Sequence, residues 1–288
     1  MTAAAGFGPP ANAGRPGRPG GGARGGARWR ARARYYLPAV LVFAGVIVAW
    51  ELTVGALNLQ KFIFPKPSAI AGALVANWSS ERFDLWASFR ATMFEALLGL
   101  LIGTIAGVAV AFAASRWANA RNLLLPVAVA ANAIPIIAFA PLVNTWFGIL
   151  SPLSKAIMAA VLVFFPVMAN VSRGLVQVES GALELMRSYA ASEWTVLRKV
   201  RIPNALPYFF TALKLATTLS LIGAIVGEYF GGQSFVLGRI IVQSASALKF
   251  DITWAAILLG AGAGIALYLA TVVLERLVIP WHASLREG

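Results

Sequence analysis

The sequence predicts an all-α integral membrane protein with six transmembrane helices. Three observations carry that prediction. Of the 288 residues, 59% are hydrophobic and 12% charged, with a mean hydropathy of +0.75. Soluble domains carry about a quarter charged residues, so this chain lacks the polar surface to stay in water. Apolar stretches long enough to cross a bilayer recur along the chain. The basic residues also collect in alternate connections between those stretches, as orientation in a membrane requires.

Met1–Arg34 is rich in Gly, Ala, Pro and Arg and cannot bury a core, so it is expected as a disordered basic tail. Its scattered charge does not match a signal-peptide n-region, and it has no adjacent arginines for a twin-arginine signal. The net charge of +13 raises the question of nucleic acid. Arg15, Arg18, Arg24, Arg28, Arg30, Arg32 and Arg34, however, lie just before the first apolar run. That placement reads as topology and anionic-lipid contact, not base recognition.

The first span is expected at about 37–54, with Tyr35, Tyr36 and Trp50 at its ends. Residues 56–86 read as a polar connection. The second span, about 91–113, carries Gly99, Gly103 and Gly107 on one face for close helix approach. Glu95 lies inside it. A carboxylate at mid-bilayer costs about 2.5–3.5 kcal/mol on insertion scales, so it is expected to face the bundle or the outer surface.

After the basic loop 115–121, residues 123–150 form a span broken by Pro126, Pro135 and Pro141. Asn132 and Asn144 lie within it. Freed carbonyls and Asn amides are tolerated in lipid only where protein or a water-filled path satisfies them, so both are candidates for lining a translocation path. The fourth span is about 153–172.

Residues 173–203 form a basic loop. Within it, Leu183, Met186, Ala190, Trp194 and Leu197 recur at spacings of three and four, one apolar stripe of an amphipathic helix that Pro203 would end. The fifth span, about 205–230, places Lys214 early, where it can snorkel. Glu228 and Tyr229 lie near its far end. The 14 residues between Lys214 and Glu228 rise about 21 Å, so these two cannot pair. Glu228 is therefore expected at a cavity or the outer mouth, and Glu228 and Tyr229 join the candidate path residues. Residues 233–251 read as a polar outer connection, and 254–279 as the sixth span, with Gly260 and Gly264 spaced for close packing.

The stretch Glu184–Pro203 resembles the "EAA" loop of the permease subunits of ATP-binding-cassette (ABC) importers. That pattern reads Glu-Ala-Ala, three residues, Gly, nine residues, Ile, one residue, Leu-Pro. Here Glu184 takes the Glu, Leu185 and Met186 the two Ala, Ala190 the Gly, Val200 the Ile, Ile202 the Leu and Pro203 the Pro, with every spacing kept. Because Ala adopts a left-handed conformation only at a cost, ordinary helical or turn dihedrals are expected at Ala190.

Phe64-Pro65-Lys66-Pro67-Ser68 and Trp146-Phe147-Gly148 extend the resemblance to the nitrate/sulfonate/taurine-type branch, which includes permeases for pyrimidine vitamin precursors and riboflavin. The resemblance implies a type I ABC importer permease fold over 35–281, with short cytoplasmic tails at 1–34 and 282–288. It implies that Glu184, Leu185, Met186, Ala190, Trp194, Val200, Ile202 and Pro203 form a coupling loop that docks on ABC ATPase subunits. It also implies an extracytoplasmic substrate-binding protein and a homodimer of the permease. The location implied is the bacterial inner (plasma) membrane, with both termini cytoplasmic.

No G-x-x-x-x-G-K-[ST] phosphate loop is present, so ATP and Mg belong to a partner chain and no cofactor is expected on this one. With no Cys and one His, His282, no metal site or intramembrane enzyme is expected. A stand-alone secondary transporter or channel is the alternative, and no convincing internal repeat supports it.

Overall fold

The computed structural model describes residues 24–57, 60, 64–115 and 135–280. Helix α1, Arg24–Ala56, lies up to Thr53 in one of two compact units. Its segment Leu37–Ala56 is 20 residues long, which at about 1.5 Å per residue matches the hydrocarbon thickness of a bilayer. Residues 24–34, read from composition as part of the tail, are instead its first turns. Ala and Arg are strong helix formers and extend the span toward the N-terminus.

The second unit holds α2 (Pro67–Ala76), α3 (Leu85–Ser115), α4 (Ile136–Phe147), α5 (Pro152–Val176), α6 (Ser180–Ser188), α7 (Glu193–Val196), α8 (Ile202–Tyr229), α9 (Leu237–Ser246) and α10 (Phe250–Val278). Among the described residues five helical segments are long and apolar enough to span: those within α1, α3, α5, α8 and α10. Of the expected third span only the second half is described, as α4. Its 12 residues rise about 18 Å, too short to cross a bilayer alone.

The centre of the bundle is α5, held between α3 and α8. Small residues set those approaches. A Cβ on Gly103 would stand 2.5 Å from the Ala160 carbonyl, and one on Gly107 2.9 Å from that of Phe164. From the other side, a Cβ on Gly223 would stand 2.5 Å from Ala159 Cα. Gly99 faces the same Ala159, which is thus clasped by two glycines from different helices. On α10 a Cβ would meet only side-chain ends: at Gly260 those of Ile225 at 3.3 Å, a tight contact, and Leu237 at 3.9 Å, and at Gly264 that of Leu221 at 3.5 Å, an ordinary packing distance. Below the glycine seam, Val163, Val167, Met168, Val171 and Leu175 fill a core with Ala111, Ala205, Ala212 and Ala216.

Two expectations change here. The connection 233–251 contains α9, whose Leu237, Gly238, Ile240, Ile241 and Ser244 are buried against the bundle. Lys214, expected as a lone cation able to snorkel, has a partner. Its ammonium lies 2.5 Å from the Glu275 carboxylate, an ion pair between α8 and α10.

Candidate functional site: an exposed loop and a buried polar cluster

The loop between α5 and α8 is built from two short helical pieces joined by a tight corner. Helix α6 ends in a Schellman arrangement: Ala191 N donates to Met186 O at 3.0 Å and Ala190 N to Arg187 O at 2.9 Å. Such a corner places the residue after the C-cap in the left-handed region, and Ala190 adopts φ +46°. The expectation of ordinary dihedrals at Ala190 is therefore overturned: two satisfied helix carbonyls offset the steric cost of a Cβ there. The single apolar stripe is likewise interrupted, because the chain turns between Ser188 and Glu193.

Ser192 restarts the helix, its Oγ accepting from Thr195 N at 3.3 Å. Pro203 does not end this second piece. Residues Leu197–Arg201 form one π turn, with Ile202 N donating to Leu197 O, and the helix continues into α8. Pro has no N–H and crowds the carbonyl four residues back, and the wider turn accommodates both. One helical rod therefore runs from Glu193 to Tyr229.

Asn204 fastens the two ends of the loop together. Its Nδ2 donates to Gly174 O at 2.8 Å and Gln177 O at 2.9 Å, where α5 ends. No residue of α6, α7 or the π turn is buried. Leu185, Tyr189 and Trp194 are 56%, 74% and 66% exposed. Glu184 and Ala190 are exposed too, whereas Met186, Val200, Ile202 and Pro203 are half-buried. Apolar side chains displayed on a loop that also carries Arg187, Arg198 and Lys199 form a surface suited to a protein partner.

At the opposite end of α5 and α8 lies a buried polar cluster. Glu95 of α3, Lys155 of α5 and Glu228 of α8 are each 2% exposed or less. The two carboxyl groups face each other and the Lys155 ammonium. Charges are tolerated at this depth only when turned inward and paired. Glu228 Oε2 accepts from Gly238 N at 2.6 Å, and Thr92 Oγ1 accepts from Leu237 N at 2.9 Å. The first two amides of α9 are thereby satisfied by side chains from the spans, which seats α9 on the bundle. Gly238 must lack a side chain, because a Cβ there would stand 2.6 Å from Ile225 O.

Lys155 donates to Asn144 Oδ1 at 3.3 Å, to Ser154 Oγ at 3.0 Å and to the Ile149 carbonyl. Asn144 is buried and lines a recess of about 530 Å³ with Pro141, Thr145, Gly148, Ile149 and Phe230. Of the path candidates, Asn144 and Glu228 are thus brought to one cluster through Lys155. Tyr229 is 42% exposed beside it, and Asn132 lies outside the described residues.

Sequence reasoning placed position 155 within the fourth span but missed Lys155 as a site residue. The signal was its place inside the fourth apolar run, one turn after the Ser151-Pro152 helix start. The Ser151 Oγ accepts from Leu153 N, and with Pro152 it starts α5 early enough to carry Lys155 into the bundle.

The fold is that of a helical protein with several candidate membrane spans, and comparison with known proteins gives its class. Residues 99–281 match the family described as "Binding-protein-dependent transport system inner membrane component", and the chain belongs to that family. A probable ABC transporter permease protein of Haemophilus influenzae is 32% identical over 81% of this chain and 93% of its own length. The riboflavin transport system permease protein RibX of Chloroflexus aurantiacus is 30% identical over 86% of this chain and 90% of its own. Other relatives, in Escherichia coli, are named for aliphatic sulfonate and taurine transport. An inward-facing structure of the MetNI methionine ABC transporter superposes with a TM-score of 0.54 at 19% identity, covering 73% of this chain and 97% of that one, a likeness of fold. The chain is a multi-pass permease subunit of an ABC importer.

Proposed function

We propose that the chain moves a small neutral heterocycle, a vitamin precursor such as hydroxymethylpyrimidine or riboflavin, inward across the membrane. Nitrate, sulfonate or taurine is the next substrate class. ATP and Mg act on separate ATPase subunits, which engage Glu184–Pro203 on the cytoplasmic side, where both termini also lie. An extracytoplasmic binding protein delivers the solute, and two copies of the permease enclose the path in contact with membrane lipids. Closure of the ATPase pair draws the two loops together, and the spans alternate between outward- and inward-facing states.

The observation that carries this reading is the exposed Leu185, Tyr189 and Trp194 on a pinned loop between two spans. The substrate choice draws support from the riboflavin permease relative and from the absence of a free cation around the recess among the described residues. The test is co-purification with the ATPase and uptake by the reconstituted assembly. Glu184→Ala and Trp194→Ala are expected to lower ATPase capture and uptake together, about tenfold for Trp194 as an aromatic anchor that docking would cover. Undiminished capture and uptake in both variants would remove the loop from the docking role.

A further inference from the structure

We propose that the recess beside Asn144 is a binding site for an uncharged, planar heteroaromatic group carrying a carbonyl or ring-nitrogen acceptor. This inference rests on the heterocycle reading of the substrate and deepens it. The Lys155 ammonium has only donors, so the Asn144 atom that faces it at 3.3 Å is the amide oxygen. That fixes the orientation of the whole amide. Its Nδ2 must then point away from Lys155, and it is buried without a protein acceptor among the described residues. Asn144 itself is only 6% exposed and lines the recess. An unmet buried donor costs about 1–3 kcal/mol, so the site is complete only when something accepts from it.

The charge of the ligand follows from how the ammonium is occupied. Its three hydrogens have three acceptors: Asn144 Oδ1, Ser154 Oγ and the Ile149 carbonyl. None is left for a ligand. Behind it stand two carboxyl groups, Glu95 and Glu228. The recess therefore presents a neutral amide donor with no spare cation, a poor environment for a sulfonate or nitrate and a good one for a neutral acceptor.

Shape points the same way. Phe230 and Pro141 supply apolar surfaces, and the Thr145 hydroxyl is already donated to Pro141 O at 2.8 Å, which leaves its lone pairs to accept. One donor and one acceptor beside an aromatic ring match the edge and face of a pyrimidine or isoalloxazine.

The test uses the full permease reconstituted in proteoliposomes with its ATPase and cognate binding protein, and measures ATP-driven uptake of hydroxymethylpyrimidine, riboflavin and taurine. Asn144→Asp keeps the oxygen toward Lys155 and replaces the donor with an acceptor. It is expected to lower uptake of the transported heterocycle at least about tenfold. Phe230→Leu, at an exposed position that tolerates truncation, is expected to lower it several-fold, with Phe230→Trp retaining it. Capture of the ATPase by each variant reports folding. Heterocycle uptake equal to wild type in both Asn144→Asp and Phe230→Leu overturns the recess while leaving the substrate reading in place. Uptake of taurine and of neither heterocycle overturns the substrate reading, and this inference with it.

Discussion

The Lys214 ammonium and the Glu275 carboxylate meet at 2.5 Å across the seam between α8 and α10, with Glu275 nearly buried and Lys214 about a quarter exposed. Neither helix offers the pair an alternative in hydrocarbon. Removing one member is expected to destabilise the permease by about 3–5 kcal/mol, because a buried charge is left alone. Glu275→Gln and Lys214→Gln should each lower the melting temperature in detergent, and the Lys214→Met/Glu275→Leu double replacement should recover most of the loss. Additive losses in the double variant would mean the two side chains do not act as a pair.

Ala190 and Leu248 take φ of +46° and +57° at the ends of α6 and α9, with the same pair of helix-closing hydrogen bonds. A residue with a Cβ in that conformation costs about 1–2 kcal/mol relative to glycine. Ala190→Gly should therefore slow amide exchange across the loop corner, and Ala190→Val should accelerate it. Leu248→Gly should likewise steady the end of α9. Identical exchange in the Gly and Val variants at 190 would remove the backbone argument.

The glycine contacts around α5 differ in how much room they leave. Gly99 and Gly223 close on Ala159 from two sides, while Gly72 and Gly262 have open space beyond their Cα atoms. Gly223→Leu is expected to destabilise by at least about 1–3 kcal/mol through overpacking. Gly262→Ala should be neutral or slightly stabilising. Size-exclusion profiles and thermal melts distinguish the two, and equal stability would mean that α5 can shift to make room.

Glu228 holds α9 through the Gly238 amide. Glu228→Gln keeps an acceptor there and should change the exchange of that amide little. Glu228→Ala leaves it buried and unpaired and should accelerate its exchange about 10- to 100-fold. Equal protection in the two variants would show that apolar packing of α9 alone seats it.

Much of this was readable in advance. The glycines of α3 announced a close helix approach by their spacing, and the loop 173–203 stood out because polar, helix-like sequence between two apolar runs has few other uses. The apolar Leu237, Ile240 and Ile241, with Ser244 on the same face, also carried helical periodicity, yet the surrounding Gln233, Ser234 and Lys249 gave the stretch a polar average that hid it. Lys155 was overlooked for a different reason. Its burial depends on acceptors from Asn144 and Ile149, which arrive through tertiary folding and leave no local mark. The conformation at Ala190 was misjudged because an intrinsic preference was weighed without the hydrogen bonds that override it. Pro203 was read as a stop because a wider turn before it was not considered.

The rod from Glu193 to Tyr229 has 37 residues and is about 55 Å long. It is gripped near one end by Asn204 and carries Trp194 just beyond that grip. Such a geometry behaves as a lever with a short arm and a long one. A tilt of about 5° about that fulcrum moves the far tip, beside Phe230, by roughly 3 Å, so a small stroke at the loop becomes a larger displacement at the edge of the recess.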